Sequence, residues 1–523
     1  MGNDVATVGL QAQNIQLNQR VAELENTVAE LSALVEHFKE LFKLSQLHRF
    51  GASSEKTLSG GQQLSLFSQP EAAPPPVTAE PETEKISYTR KKRPMGKREA
   101  DLSALPLEVV EYDLPEDQKN CPQCGGAMKG IGVDTRDEIK IIPPQVIHVE
   151  HRCKVYKCAH CDKHAAKTPI VKAQAPAPVI KGSVASPSAV AYVMSQKYLL
   201  HLPLYRLEQD FKRQGVAINR QNMANWAIRA CEDWLQPIYD RLKQRLLAHD
   251  VLHSDDTGVQ VLREPGKTPQ SNSYMWMYRT GGDSKTPVAV YEYTDSHDGD
   301  HPEAFLKGWR GYCHTDGYAG YHDLAGVTVV GCWAHVRRKF NDAFQITKAP
   351  DSPAKIGLDY CNRLFELERK YAEEKLDVKQ RFRRRELESK PVAEAFFAWA
   401  ETISTPPKLA ITRAITYLLN QREWLMNVYL DGRLELSNNR GERSIKPFVM
   451  GRKNWLFSTS VAGVKASATA FSVIETAKDN GLKPFEYLRF LLETLPNTTT
   501  SQLDALMPWS DVLPADCYAP QAH

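Results

Sequence analysis

The sequence predicts a mixed α/β core with a helical insertion, preceded by a coiled coil, a zinc-ribbon-like module and a helical segment. Three observations predict it: an ordered run of strands and helices from Val251 onward, two Cys-x-x-Cys pairs, and a long heptad seam near the N-terminus. With 523 residues the chain exceeds one hydrophobic core, and a prior of roughly 150 residues per domain suggests about three or four units.

The first unit spans 8–48. Apolar residues recur there at spacings of three and four: Leu17, Val21, Leu24, Val28, Leu31, Val35, Phe38 and Phe42. Neither Gly nor Pro interrupts Ile15 to Leu47, so the seam runs for about four heptads. Asn14 precedes Leu17 on the same seam, where a buried amide fixes register and strand number. A self-associating coiled coil, and hence a homo-oligomer, is expected; an amphipathic helix packed on its own domain is the alternative. Residues 57–100 read as a disordered linker rich in Gly, Ser, Gln, Pro and Glu, including Pro74-Pro75-Pro76. Its basic end, Arg90-Lys91-Lys92-Arg93 with Lys97 and Arg98, reads equally as a solvated segment or a phosphate-contacting arm.

Residues 115–165 hold Cys121-Pro-Gln-Cys124, a Gly-Gly turn, and Cys158-Ala-His-Cys161. Four thiolates in two tight pairs converge tetrahedrally on zinc, and a site closed by four Cys is structural. Binding of this kind contributes on the order of 10 kcal/mol to folding a small domain. Cys153, His151, His160 and His164 lie near enough to compete as ligands. The remaining cysteines are scattered, which favours reduced thiols over disulfides.

Residues 185–247 read as helical: Pro187 to Leu200, Leu204 to Gln214, a turn at Gly215, then Asn219 to Leu247. The tight turn and polar restart resemble a helix-turn-helix, with Arg220, Gln221, Asn222 and Asn225 suited to reading base edges. A helical lead-in packed on the next domain is the other reading.

The core is expected over 250–475. Val251 to Asp255, Ser273 to Arg279 and Pro287 to Tyr293 read as three successive strands. A short helical stretch near His301 to Lys307, a strand from Gly311 ending near Asp316, an apolar strand Val327 to Cys332 and a basic helix from about Ala334 follow. That order is the order of a ribonuclease H-like fold. Asp255 and Asp316 are expected at or near strand ends, facing a common cleft. Phosphodiester transfer without a covalent protein intermediate calls for two metal ions held by carboxylates, with Mg2+ (or Mn2+) the natural ion. Glu442, in a segment that opens polar and carries Lys446 four residues on, supplies a third acid if a helix starts there. An isolated surface salt bridge is the alternative. Between the second and third acids, about 341–433, lies a charged, helix-forming insertion containing Arg381-Phe-Arg-Arg-Arg385, whose basic run reads as a solvated helix face. Arg337, Arg338 and Lys339, with Arg452 and Lys453 near Trp455, are the better phosphate-contact candidates, because they flank these motifs. Cys332 and His335 have metal-like spacing without a second pair, which favours a structural or positioning role over a second zinc. Residues 476–523 form a C-terminal segment.

Asp255-Asp256-Thr257-Gly258 through Leu262, Thr315-Asp316-Gly317-Tyr318, Cys332-Trp333-Ala334-His335 through Phe340, Asn438-Asn439 through Lys446, and Gly451-Arg452-Lys453-Asn454-Trp455-Leu456-Phe457 resemble successive motifs of the insertion sequence 66 family of bacterial transposases. Phe50-Gly51 with Ser54-Glu55-Lys56, the zinc module, and the stretch from Thr476 to Tyr487 are similar too, so the likeness covers nearly the whole chain. It implies a DNA transposase with an Asp, Asp, Glu triad, matched by Asp255, Asp316 and Glu442, that binds terminal repeats and target DNA. Accessory proteins of the same element are further expected partners. The family usually carries Glu after the first Asp, whereas this chain has Asp256. Two adjacent aspartates therefore compete for the first ligand position, and alternation along an extended strand lets only one face the cleft.

A charge of +3, from 66 basic and 63 acidic residues, carries no argument for nucleic-acid binding; local clusters must. No apolar run long enough to span a membrane and no leader pattern is apparent, so a cytoplasmic protein without a membrane partner is expected. Two other functions fit the same motifs: a catalytically silent DNA-binding regulator, and another ribonuclease H-like nuclease.

Overall fold

The structure, a computed structural model, describes residues 2–50, 109, 123, 139, 144–158, 170–498 and 500–520. The expected linker, Cys121, Cys124, Cys161, His160, His164 and the basic cluster Arg90 to Arg98 lie outside the described residues, as do the side chains of Asn14 and Leu17. The chain divides into two units, Met1–Ser53 with Glu150–Ala519, and Ser54–Val149 with Pro520–His523.

Helix α1 is continuous over Gly2–Phe50. Its seam residues Val21, Leu24, Val28, Leu31, Val35, Phe38 and Phe42 are all exposed in the single chain, so the stripe is laid out on one face and left uncovered by it. A short antiparallel pair follows, β1 (Val155–Lys157) with β2 (Ile170–Lys172), and Cys158 comes directly after β1.

The helical segment comprises α2 (Pro187–Met194), α3 (Leu204–Arg213), α4 (Arg220–Ala230) and α5 (Gln236–Leu246). Gly215 takes φ +78 between α3 and α4, a left-handed turn that a side chain disfavours. The Asn219 side chain then caps α4 by accepting from the Asn222 N–H at 2.8 Å.

Six strands form the sheet: five lie in the order β5-β4-β3-β6-β7, from β3 (Val251–Arg263), β4 (Asn272–Thr280), β5 (Ala289–Thr294), β6 (Gly311–His314) and β7 (Val327–Val330), and a short sixth strand later in the chain pairs with β3 off that path. The β3, β4 and β5 pairs are antiparallel, whereas β3, β6 and β7 run parallel, so the sheet is mixed. The short helix α6 (Asp300–Phe305) lies between β5 and β6 in sequence. Met275 through Tyr278 are buried on both faces of β4, as the middle strand of an antiparallel trio between helical layers must be.

Helix α7 (Trp333–Thr347) follows β7, and the inserted region folds as α8 (Pro353–Glu373), α9 (Val378–Arg384), α10 (Lys390–Thr402), α11 (Ala410–Asn420) and α12 (Arg422–Met426). Apart from α9, these helices share an apolar core that includes Trp333, Phe340, Leu364, Phe396, Phe397, Leu418 and Leu425. Next come α13 (Asn439–Trp455), β8 (Ser458–Ser460), α14 (Val461–Asp479) and α15 (Pro484–Thr494). Helix α14 runs unbroken through the boundary expected at 475. It also covers the edge strand: the Ala289 N–H donates to the Thr476 hydroxyl at 3.1 Å and the Tyr291 N–H to the Ser472 hydroxyl at 2.8 Å. Unpaired edge groups are thereby satisfied and shielded from pairing with another chain.

Candidate active site

The pairing of β3 positions the first two acids. On one side β3 pairs with β4 as far as Gln260↔Asn272; on the other it pairs with β6 only through His253↔His314. Strand β6 ends there, and β8 takes up that side of β3 at Val261↔Ser458. A stretch of β3 between these two partners is open, and Asp255 lies in it. Asp255 and Asp316 each fall two residues beyond the last shared rung, so the register carries both toward the same opening. Asp255 is thus mid-strand and not at a strand end, because the alternation of Thr257 to Leu262 keeps β3 paired with β4. Asp316 sits in the loop after β6, where Gly317 adopts φ +95. Its carboxylate accepts from the Tyr318 N–H at 3.1 Å, and its carbonyl accepts from the Tyr417 hydroxyl at 2.9 Å.

The adjacent aspartates have different surroundings. Asp256 Oδ2 lies 3.0 Å from Nε2 of His297, whose ring stacks on Tyr274 and Tyr318 with centroids 4.2 Å away in each case. Burial, and next the charge of Asp316, pushes the Asp255 carboxyl up to about 8, with Asp256 and Glu442 adding to the rise. Burial also raises Asp256, but His297 opposes it. The Asp316 charge raises both aspartates; Glu442 adds to the rise at Asp255, and His297 opposes it at Asp256.

This crowding has a cost in the metal-free chain. A carboxyl ordinarily near 3.8 and held near 8 in the fold makes the folded state bind more protons than the unfolded one. Its contribution is complete below the lower value and is lost as pH rises toward the upper one. Asp255→Asn, which stays neutral, should therefore raise the melting temperature of the metal-free chain at pH 8 and change it little near pH 4. Parallel pH profiles for the variant and the natural chain would refute this.

Glu442 stands in the first turn of α13, where the helix dipole favours a carboxylate. Asn438, fully buried just before that helix, ties it to the sheet. Its Oδ1 lies 2.9 Å from His253 Nδ1, its side-chain amide donates to the Ser254 carbonyl at 2.7 Å, and its backbone N–H donates to Cys332 Sγ at 3.2 Å. Asn438 thereby joins β3, the start of α7 and the start of α13. Sequence reasoning assigned it no role; the signal was an Asn directly ahead of a helix start. Burial pushes His253 down to about 3, and burial likewise holds His314, stacked on it at 4.2 Å, well below the usual imidazole range. The pair is held neutral, each ring two residues ahead of an acid, His253 before Asp255 and His314 before Asp316. Glu442 Oε2 meets Arg338 at 3.3 Å and Oε1 meets His335 Nε2 at 3.6 Å; Oε1 is buried with no hydrogen-bond partner.

The basic candidates separate into groups. Lys446 and Lys453 are exposed on α13, as is Arg443 between them and Glu442. Lys339 lies over the Tyr417 ring, 4.5 Å from its centroid. Arg452 is turned inward, donating to the Thr257 hydroxyl at 3.0 Å and to the Gly258 carbonyl, and Arg337 donates to Asn362 at 2.9 Å. Arg220, Gln221 and Asn222 are exposed at the start of α4, where the Gln221 amide donates to Asn225 at 3.1 Å.

Comparison with known proteins bears on this arrangement. The model for "Transposase IS66 family" matches residues 182–466, from the helical segment through the sheet, the insertion and α13. The chain belongs to the IS66 transposase family. Further IS66 family models match on either side: the "IS66 C-terminal element" over 472–509, the "zinc-finger binding domain of transposase IS66" over 118–162, and "Transposase C of IS166 homeodomain" over 37–110. The zinc-finger match brackets Cys121, Cys124, Cys158 and Cys161 and supports a structural zinc in this IS66 chain. Two similar proteins of Sinorhizobium fredii (strain NBRC 101917 / NGR234) are "Uncharacterized protein y4jD" and "Uncharacterized protein y4qI". The first is 29% identical over 95% of this chain and 97% of its own length. The second is 30% identical over 77% of this chain and 75% of its own. Among solved structures, the "Drosophila P element transposase strand transfer complex" aligns with a TM-score of 0.30 and 11% identity, over 56% of this chain and 92% of that one. No helix among the described residues is long and apolar enough to cross a membrane.

Proposed function

We propose that this IS66 family member is a DNA transposase that binds the ends of its element and cleaves and joins DNA strands at Asp255, Asp316 and Glu442. The observation that carries the reading is the convergence at the open stretch of β3: two acids leaving the same rung, and a third on α13 whose charge reaches Asp255. The strand order β5-β4-β3-β6-β7, antiparallel then parallel, supports a ribonuclease H-like core.

Three carboxylates whose charges act on one another, one with a buried and unpartnered oxygen, suit Mg2+ or Mn2+, which prefer oxygen ligands. A bound pair of such ions supplies activation of the attacking oxygen and stabilisation of the leaving one. The chain's own residues supply the placement. Tyr417 and Tyr318 hold the Asp316 loop, Asn438 fixes α13 on β3, and Arg338, Arg443, Lys446 and Lys453 present positive charge to the DNA backbone beside the acids. The exposed start of α4 reads base edges, the uncovered stripe of α1 pairs with a second copy, and the four cysteines hold zinc in the cytoplasm.

Incubating the purified full chain with Mg2+ and element-end DNA, RNA–DNA hybrids or four-way junctions tests this reading. Cleavage restricted to element ends is expected. Binding of ends without cleavage would make the protein a regulator, and preferential cleavage of hybrids or junctions would make it a different nuclease.

A further inference from the structure

Cys332 and His335 alone offer two donors, and two do not make a site. The fold supplies a third from far along the chain: Cys332 Sγ, a ring nitrogen of His335 and a carboxylate oxygen of Glu442 all lie within 4.8 Å of one another. Cys332 is buried just before α7, His335 lies in its first turn, and the N-terminus of α13 is held against them by the bond from the Asn438 N–H to the Cys332 sulfur. Two further observations point to a ligand. Glu442 Oε1 and His335 Nδ1 are both buried with no hydrogen-bond partner, an arrangement that costs stability unless something occupies it.

From this geometry we infer that Cys332, His335 and Glu442 form a second metal site, one that takes a borderline-soft divalent ion, Zn2+, through one sulfur, one nitrogen and one oxygen. Zinc bonds of about 2.3 Å to sulfur and about 2.0–2.2 Å to nitrogen or oxygen place tetrahedral ligand atoms roughly 3.3–3.8 Å apart. The donor atoms, now within 4.8 Å of one another, draw together to that spacing on binding. Mg2+ does not suit a thiolate and an imidazole, so the donor set selects against the ion proposed for the acid triad. Three protein ligands leave the fourth position open, unlike the closed four-cysteine module. On binding, the Cys332 S–H bond breaks, its proton leaves to solvent and the thiolate bonds the zinc; Glu442 enters as carboxylate and His335 as neutral imidazole. Glu442 then belongs to two donor sets, one soft and one made of oxygen. Zinc held by Cys332 and His335 withdraws it from Asp255 and Asp316.

The test is a metal count on the full chain, loaded with Zn2+ and freed of excess by gel filtration. The natural chain is expected to carry one zinc per chain more than His335→Gln and one more than Cys332→Ser. Substituting Co2+ should give a thiolate-to-cobalt charge-transfer band in the natural chain that exceeds the band in Cys332→Ser. Cys332 is buried and its replacement can perturb folding; His335 is half-buried on a helix surface, so its Gln variant decides the matter. Equal zinc content in the natural chain and His335→Gln would overturn the site. Because the count needs no DNA cleavage, it fails or succeeds separately from the proposed strand chemistry.

Discussion

Asp316→Asn should lower Mg2+-dependent nicking of element-end DNA by about 10³-fold or more while leaving end binding within a few-fold of normal. Metal-assisted charge stabilisation contributes several kcal/mol to phosphoryl transfer, and each 1.36 kcal/mol is about tenfold in rate. The substitution is nearly isosteric, and the surroundings of the residue tolerate it. An Asn side-chain oxygen still accepts from the Tyr318 N–H, and the bond from the Tyr417 hydroxyl goes to the backbone carbonyl. The loop with Gly317 at φ +95 keeps its shape. What is lost is one negative charge at the opening beside β3. The basic residues of α13 and the exposed start of α4 are untouched, so gel shifts with element ends should persist. A variant that nicks within tenfold of the natural rate would remove Asp316 from the chemistry.

The sheet was legible because period-two alternation and Gly-rich turns mark strands locally. Five of the six strands and the helix after β7 follow the sequence closely; β8, three residues long, carries no such pattern. The position of Asp255 was less legible. An apolar run into an acid reads as a strand end, yet pairing with β4 continues past it while pairing with β6 does not. Which edge of a strand is open is a property of the assembled sheet. The difference in surroundings between Asp255 and Asp256 rests likewise on His297, 41 positions further along the sequence than Asp256. Cys332 and His335 show their spacing to any reader, but Glu442 reaches them only because Asn438 pins α13 against β3 and α7. Periodicity reports faces of single elements; contacts between elements distant in sequence leave no periodic trace. The heptad stripe of α1 was legible for the opposite reason, since its described residues from Val21 to Phe42 are exposed and its periodicity belongs to one element.

The same contrast governs Arg381-Phe-Arg-Arg-Arg385. Charge runs read as solvated helix faces, and Arg383 is exposed, as that reading expects. Arg385 is not: it is 1% exposed, in a wide helical turn between α9 and α10. Its Nε and Nη2 meet Glu368 of α8 at 2.6 and 2.8 Å, Nη2 also donates to the Leu434 carbonyl at 2.8 Å, and Nη1 donates to the Val428 and Asp431 carbonyls at 3.3 Å each. One guanidinium therefore fastens the insertion to the loop that leads into α13, the helix that carries Glu442. Only a planar fork with five donors satisfies so many acceptors at once. Arg385→Ala strands a mostly buried carboxylate and three carbonyls, and removing one partner of a buried pair costs about 3–5 kcal/mol. Chemical denaturation should register that loss, against about 0.5 kcal/mol or less for Arg383→Ala. Arg385→Lys should recover little, because a single ammonium cannot span the carboxylate and the carbonyls. Replacing both charges, Arg385→Met with Glu368→Leu, should cost less than Arg385→Met alone, since the uncompensated carboxylate is then gone. If Arg385→Ala is no more damaging than Arg383→Ala, the buried ion pair is not what joins the insertion to α13. A loss confined to Arg385 would make the insertion a brace for the third acid.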